Sequence, residues 1–364
     1  MHAHTMKNSS HHSTIATTLL ACGLLFASSA VQADWDKAKA AYDKGDFTAA
    51  FNEARECAAS GDPQCQRFIG RLLITGEGTT KNEAQGAIWT RKAAEQGDVN
   101  AQVILGSILL NGIGVPKDQP QALQWYTKAA AQGDPDGQYM IGVVHSQGWG
   151  TTQNKALASQ WYLKAAENGH PRAQFNLGLM YEQGVGVTKD ERQAVEWYRK
   201  SAEQGHDRAQ HNLGSMYADG RGVPKDDGQA IEWYRKSAEQ GNAEAQFNLA
   251  KMYADGTGIP MNHGQAMVWY RKAAANGHFG ATNNLGAMFV TGTAGPKNLV
   301  AAYALYNVAA SGGIEIAKTN RAGIEKEMSP TQIRKAQELS TLMHDSKSVI
   351  AELDAYLKAN PGAR

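Results

Sequence analysis

Apolar and polar positions along the chain follow two rhythms, one short and one long. Within residues 242 to 277, Ala245, Leu249, Met252 and Tyr253 recur at helical spacing, which predicts a helix over Ala243 to Asp255. Gly256-Thr257-Gly258-Ile259-Pro260 must end it, because Gly tolerates positive φ past a helix terminus and Pro cannot continue the pattern. Ala266, Trp269, Tyr270, Ala273 and Ala274 then predict a second helix over about Gly264 to Ala275, closed by Gly277. Two such helices make a hairpin whose apolar face is too large for it to bury alone.

The long rhythm copies that hairpin. Trp occurs at 89, 125, 161, 197, 233 and 269, a constant step of 36. G-x-G pairs begin at Gly76, Gly112, Gly148, Gly184, Gly220 and Gly256, and Gly292 keeps the phase. A third series runs from Gly61 through Gly97, Gly133, Gly169, Gly205, Gly241 and Gly277 to Gly313 at the same step. No insertion breaks these registers, so seven units are predicted, from 62–97 through 278–313, stacked so that neighbours complete each other's burial. Small residues at fixed places, Gly178, Gly214 and Ala250, are expected to let backbones approach closely while Trp-Tyr pairs fill wider gaps. In the last unit Leu305 stands where Trp is expected and Gly295 leaves the G-x-G register.

Repeat arrays need atypical ends that cover exposed core. Residues 34–61 predict a shorter capping hairpin: a first helix around Ala38 to Tyr42, a Lys44-Gly45-Asp46 turn and a second helix over Phe47 to Ala59. Residues 314–364 predict a helical C-terminal cap, with Ser329 as N-cap and Pro330 in the first turn of a long helix striped by Ile333, Ala336, Leu339 and Met343.

Residues 1–33 read differently. Lys7, an apolar run from Ile15 to Val31, and small residues in Val31-Gln32-Ala33 predict a secretory signal peptide cut after Ala33, hence a periplasmic or secreted protein. Two alternatives stand beside this one. Leu19-Leu20-Ala21-Cys22 resembles a lipobox that would acylate Cys22, and the apolar run, diluted by Ala, Ser and Thr, is marginal as a permanent membrane helix.

Composition narrows the function classes. Lys plus Arg is 36 and Asp plus Glu is 35, so loss of Lys7 with the leader balances the charge. That argues against nucleic acid and against a polybasic hold on a membrane surface. Hydrophobic content of 42% and charged content of 20% exclude a disordered chain. With Cys22 removed, Cys57 and Cys65 remain, and an even count in an exported chain invites a disulfide. Shifted by one repeat they fall on Ala93 and Ala101, small positions that face each other where two helices meet.

The segments Ala173-Gln174-Phe175-Asn176-Leu177-Gly178 with Met180-Tyr181, Gly184-Val185-Gly186-Val187, and Ala194-Val195-Glu196-Trp197-Tyr198-Arg199-Lys200 ending at Gly205 resemble the Sel-1-like repeat family, relatives of the tetratricopeptide repeats. The likeness spans residues 62 to 313. It implies a right-handed all-α solenoid holding protein partners on a concave face lined by the first helix of each pair. It also implies that cysteines spaced like Cys57 and Cys65 bridge adjacent helices, as in a cysteine-rich secreted branch.

In that family the second, fifth, sixth, ninth and twelfth positions of the first helix point into the groove. The sixth gives Asn176, Asn212, Asn248 and Asn284, whose amides can grip an extended backbone or, equally, satisfy a neighbouring repeat. The fifth gives Tyr139, Phe175, His211 and Phe247, and the second gives Arg172 and Arg208, suited to carboxylates. The first unit departs, with Phe68 and Leu73 replacing the usual Asn and Tyr.

Three functions follow: a protein-interaction scaffold in the cell envelope or facing a host; a β-lactamase-like hydrolase, because the cysteine-rich branch carries that label; and binding of peptidoglycan or exopolysaccharide on the aromatic row. The chain lacks Ser-x-x-Lys, G-x-S-x-G, H-E-x-x-H and a Walker loop, so no catalytic residue and no cofactor is expected. His170, His206 and His278 share one repeat position, and stacked helices place such positions about 10 Å apart, too far for one metal ion. They are expected to be exposed loop residues, and the Glu-Gln-Gly segments at Glu95, Glu203 and Glu239 solvated helix ends.

Overall fold

A computed structural model describes residues 34–293 and 295–361, so the signal-peptide and lipobox readings of residues 1–33 fall outside the described residues. The described residues form helices joined by turns and loops, with no strand. They divide into two compact units, the first ending at Asn168 and the second starting at Gly169.

The first unit holds α1 (34–43), α2 (Phe47–Ala59) and three pairs: α3 (Pro63–Thr75) with α4 (Glu83–Glu95), α5 (Val99–Asn111) with α6 (Gln119–Ala131), and α7 (Pro135–Gln147) with α8 (Lys155–Glu167). The second holds four pairs: α9 (Pro171–Gln183) with α10 (Glu191–Glu203), α11 (Asp207–Asp219) with α12 (Asp227–Glu239), α13 (Ala243–Asp255) with α14 (His263–Ala275), and α15 (Phe279–Thr291) with α16 (Leu299–Ser311). It ends in α17 (Glu315–Glu325), α18 (Pro330–Asp345) and α19 (Val349–Ala359). Within each unit the paired helices pack on their neighbours in chain order, so the chain is an all-α repeat solenoid.

Caps explain the uniform helix length. Each first helix starts at a side chain that accepts the N–H three residues on: Asp62, Asp98, Asp134, His170, His206, Asn242 and His278. The expectation for the three histidines is thereby corrected. They are half-buried caps, with Nδ1 accepting from Ala173, Ala209 and Ala281 at 3.1, 3.3 and 3.0 Å. An imidazole nitrogen stands here in the place of an Asp or Asn oxygen.

The G-x-G pairs do two jobs. The first glycine ends the helix in the left-handed region, as Gly220 does at φ 68°. The second is pressed onto the start of the preceding pair's second helix: a Cβ on Gly222 would lie 2.2 Å from the Glu191 carbonyl oxygen. Gly178 and Gly214 make room for rings rather than for close backbones. A Cβ there would fall 2.6 and 2.8 Å from the Tyr198 and Tyr234 rings of their own pairs.

Successive pairs are also tied by a buried amide ladder. Gln210, 5% exposed, donates Nε2 to the Ala202 carbonyl at 3.1 Å and accepts at Oε1 from Gln240 Nε2 at 2.8 Å. Gln66, Gln102 and Gln246 repeat both bonds with their own neighbours. The Gln of each Glu-Gln-Gly segment, at 96, 204 and 240, is bonded to the ladder, while the Glu and Gln of all three segments are exposed at helix ends as expected. On the second helices, Lys ammonium groups lie over the indoles three residues earlier, 3.8 Å from the ring centre for Lys128 on Trp125 and 4.0 Å for Lys200 on Trp197.

The ends differ from the repeats. Cys57 and Cys65 form a disulfide with Cα atoms 5.9 Å apart, joining α2 to α3. Phe68, 9% exposed, sits under α1, its ring edge-on to Trp35 at 5.4 Å and to Tyr42 at 5.5 Å. At the other end Ala336, Leu339 and Met343 of α18 are buried, and Ser329 with Gln332 completes a capping box. The long terminal helix expected from the sequence stops at Asp345. Lys347 takes φ 54° and α19 begins two residues later, packing on α14, α16 and α18.

Candidate functional site

The face marked by the sequence lies in the second unit, on α9, α11, α13 and α15. Arg172 and Arg208 are exposed at the starts of α9 and α11. Phe175, His211, Phe247 and the four asparagines are half-buried one turn further along. Tyr139, their counterpart on α7, belongs to the first unit and tilts against Tyr162 with ring centres 5.8 Å apart.

The aromatic row rests on the tyrosines of the second helices. Phe175 meets Tyr198 at 5.9 Å, His211 meets Tyr234 at 5.7 Å and Phe247 meets Tyr270 at 5.9 Å. Two cap histidines stack on the phenylalanines from the following pair: His206 on Phe175 at 4.8 Å and His278 on Phe247 at 4.3 Å. Burial holds the His206 pKa below the usual histidine value, against the opposing pull of Asp207. These stacks are not evident from the pattern of apolar and polar residues. Their signal was the recurrence of Phe and His at a constant separation, Phe175 with His206 and Phe247 with His278.

The asparagines do not form one uniform row. His211 bridges two of them, its Nδ1 lying 3.1 Å from Asn212 Oδ1 and its Nε2 3.2 Å from Asn248 Nδ2. One tautomer serves both, with Nδ1–H donating to Asn212 and Nε2 accepting from Asn248. Asn212 also hydrogen-bonds the Tyr198 hydroxyl, and Asn284 donates to the Tyr270 hydroxyl at 3.1 Å. These amides therefore tie a first helix to the pair before it. Tyr198 donates to Glu182 Oε2 at 2.5 Å, and burial together with that carboxylate raises its pKa. Arg221 Nη1 pairs with Glu182 Oε1 at 2.6 Å.

Cys57, Asp62 and Cys65 bring donor atoms within 4.8 Å of one another. Those donors are already committed, the sulfurs to the disulfide and Asp62 Oδ1 to the Cys65 N–H at 2.8 Å. No described helix is long and apolar enough to cross a membrane.

The geometry is that of a helical-hairpin repeat protein with a polar and aromatic face. The chain belongs to the Sel1 repeat family, whose model matches residues 63–98, 99–134, 135–170, 171–206, 207–242, 243–278 and 280–314. Proteins of this family are typically interaction scaffolds and generally non-catalytic. Solved structures of similar fold include the following two. The crystal structure of a Sel1 repeat protein from Oxalobacter formigenes is 36% identical, covering 66% of this chain and 96% of its own, with a TM-score of 0.58. A protective antigen present in uropathogenic Escherichia coli strains, which displays an SLR fold, is 28% identical, covering 90% and 86%, with a TM-score of 0.57. No curated protein matches the chain.

Proposed function

We propose that the chain is an exported scaffold that holds a protein partner on the first-helix face of its second unit. The residues are Arg172, Phe175, Asn176, Arg208, His211, Asn212, Phe247, Asn248 and Asn284. The observation that carries this reading is the pair of exposed arginines, one repeat apart, beside half-buried rings, Phe175 held between Tyr198 and His206 and His211 held against Tyr234 and bonded to Asn212 and Asn248. A surface already fixed in this way loses little entropy when a partner docks, and its polar atoms can bond a peptide backbone. The disulfide fits a protein outside the cytoplasm and supports export through the predicted leader.

The stacks weigh against the glycan reading, because His206 and His278 occupy ring faces that a sugar would use. The test is affinity recovery of partners from envelope extract with wild type and with the double variant Arg172→Glu, Arg208→Glu. Both side chains are exposed, so the variant keeps its fold, verified by an unchanged Tm. Recovery of a defined partner set that the variant loses supports the proposal. Identical recovery from both contradicts it.

A further inference from the structure

Neighbouring repeats differ where two successive first helices meet, and one difference opens a cavity. Between α9 and α11, Arg221 is drawn inward: Nη1 bonds Glu182 Oε1 at 2.6 Å, and Nε bonds Asp219 Oδ2 at 3.2 Å. Tyr198 completes the set by donating to Glu182. One repeat later, Ala218 stands at the Glu182 position and Thr257 at the Arg221 position. Tyr234, Asn248 and Asp255 keep the places of Tyr198, Asn212 and Asp219. A carboxylate and a guanidinium are thus both missing, and between α11 and α13 lies a cavity of about 250 Å³ whose lining includes Ala218, Tyr234, Asn248, Lys251, Asp255 and Thr257, together with Asp219, which Arg221 already holds.

Resting on the binding face proposed above, we propose that this cavity receives an arginine side chain of the partner protein, in the place that Arg221 fills one repeat earlier. The acceptors suit a planar fork of donors. Asp255 offers its carboxylate as Asp219 does to Arg221. Asn248 spends its amide nitrogen on His211, which leaves Oδ1 to accept. The Tyr234 hydroxyl donates to Ser215 at 3.0 Å and keeps its lone pairs for a guest. Two cations share the site. Lys225 already pairs with Asp227 at 3.6 Å, and Lys251 stands exposed at the rim. Its ammonium is a compact, strongly hydrated charge that can swing into water, whereas a guanidinium is weakly hydrated and can hold a carboxylate through two bonds.

The experiment titrates the full chain with N-acetylarginine methylamide and with its neutral isostere N-acetylcitrulline methylamide, following backbone amide NMR signals of residues 248–257. The arginine probe is expected to give saturable shifts there, and the citrulline probe to bind roughly tenfold more weakly or less, since the charge-assisted bonds are lost. Asp255→Asn lowers the arginine response by a similar factor, and Lys251→Ala raises it. The double variant Ala218→Glu, Thr257→Arg restores the internal pair, abolishes the response and leaves Tm equal or higher. Equal binding of the two probes, or an undiminished response in the double variant, overturns the proposal. So does the absence of a saturable shift in the wild type; if partner recovery still depends on Arg172 and Arg208, the binding face then stands without the cavity.

Discussion

One register of the first helix is filled differently at the covered end and on the second unit. In α3 it carries Phe68, buried under Trp35 and Tyr42 of α1. In α9, α11, α13 and α15 it carries Asn176, Asn212, Asn248 and Asn284, half-buried, with the last three bonded to a neighbouring tyrosine or histidine. Helical hairpins of the same length present the same position to different surroundings. Where α1 covers it an aromatic ring fills the contact, in α5 and α7 the half-buried Ile104 and Met140 stand there, and from α11 to α15 an amide secures the adjacent pair. Asn at this register therefore marks uncovered face, and Phe68 marks the place where the cap lies down.

Breaking the covered version carries the largest expected effect. Phe68→Ala removes a ring from between α1 and α3 and is expected to cost about 3 to 4 kcal/mol of local stability. Hydrogen exchange should show protection lost over α1 to α3. Replacing both Cys57 and Cys65 by Ser removes the other fastening of that end and is expected to cost about 2 to 3 kcal/mol in the loop-entropy account. Hydrogen exchange of α1 to α3 in increasing urea would report it. Elsewhere in the second unit Gln210→Ala removes two hydrogen bonds, one to the Ala202 carbonyl and one from the Gln240 amide, for about 2 kcal/mol. Asn284→Ala removes the bond to Tyr270 and the acceptor of the Asn283 amide, and is expected to cost about 1 to 2 kcal/mol. If Asn284→Ala proves as costly as Phe68→Ala, the distinction between covered and uncovered face is wrong.

The smallest effect is a dependence on pH. His206 Nδ1 must be unprotonated to cap α11, and burial lowers its pKa in the folded protein. Below the ordinary histidine pKa of about 6.5 the unfolded chain takes up a proton before the folded one does. The cap's contribution is thus complete above that pH and is lost as pH falls through the lower, folded value. Asn242 caps the next first helix without titrating in this range, so His206→Asn is expected to keep the cap and flatten this part of a Tm-against-pH curve.

Much of this architecture was legible in residue spacing. The two-helix module, the step of 36 and the glycine stops follow from 3.6-residue periodicity and from which residues accept positive φ. Less visible were features that invert the usual sorting of residues. Gln210 and its counterparts are polar yet buried, so a reading by hydropathy sends them outward; only their recurrence after Ala, as in Ala209-Gln210 and Ala245-Gln246, pointed inside. His206 caps a helix although Ser, Thr, Asp and Asn usually do, so it reads as a loop residue. The second glycine of each G-x-G reads as a terminator because its contact, Gly222 against Glu191, comes from the preceding repeat. The candidate face was legible as a row of equivalent positions. The hydrogen bonds that fix its asparagines were not, since they depend on which tyrosine lies within reach.

The proposed role stands on a single orientation, with partners meeting the first helices of the second unit rather than the outer surface of the second helices. Photo-crosslinking in envelope extract would compare a benzophenone amino acid placed at Arg208 on α11 with one at Glu232 on α12, both exposed. The expected result is a discrete protein adduct from position 208 and none from 232. Adducts from 232 alone would contradict the account.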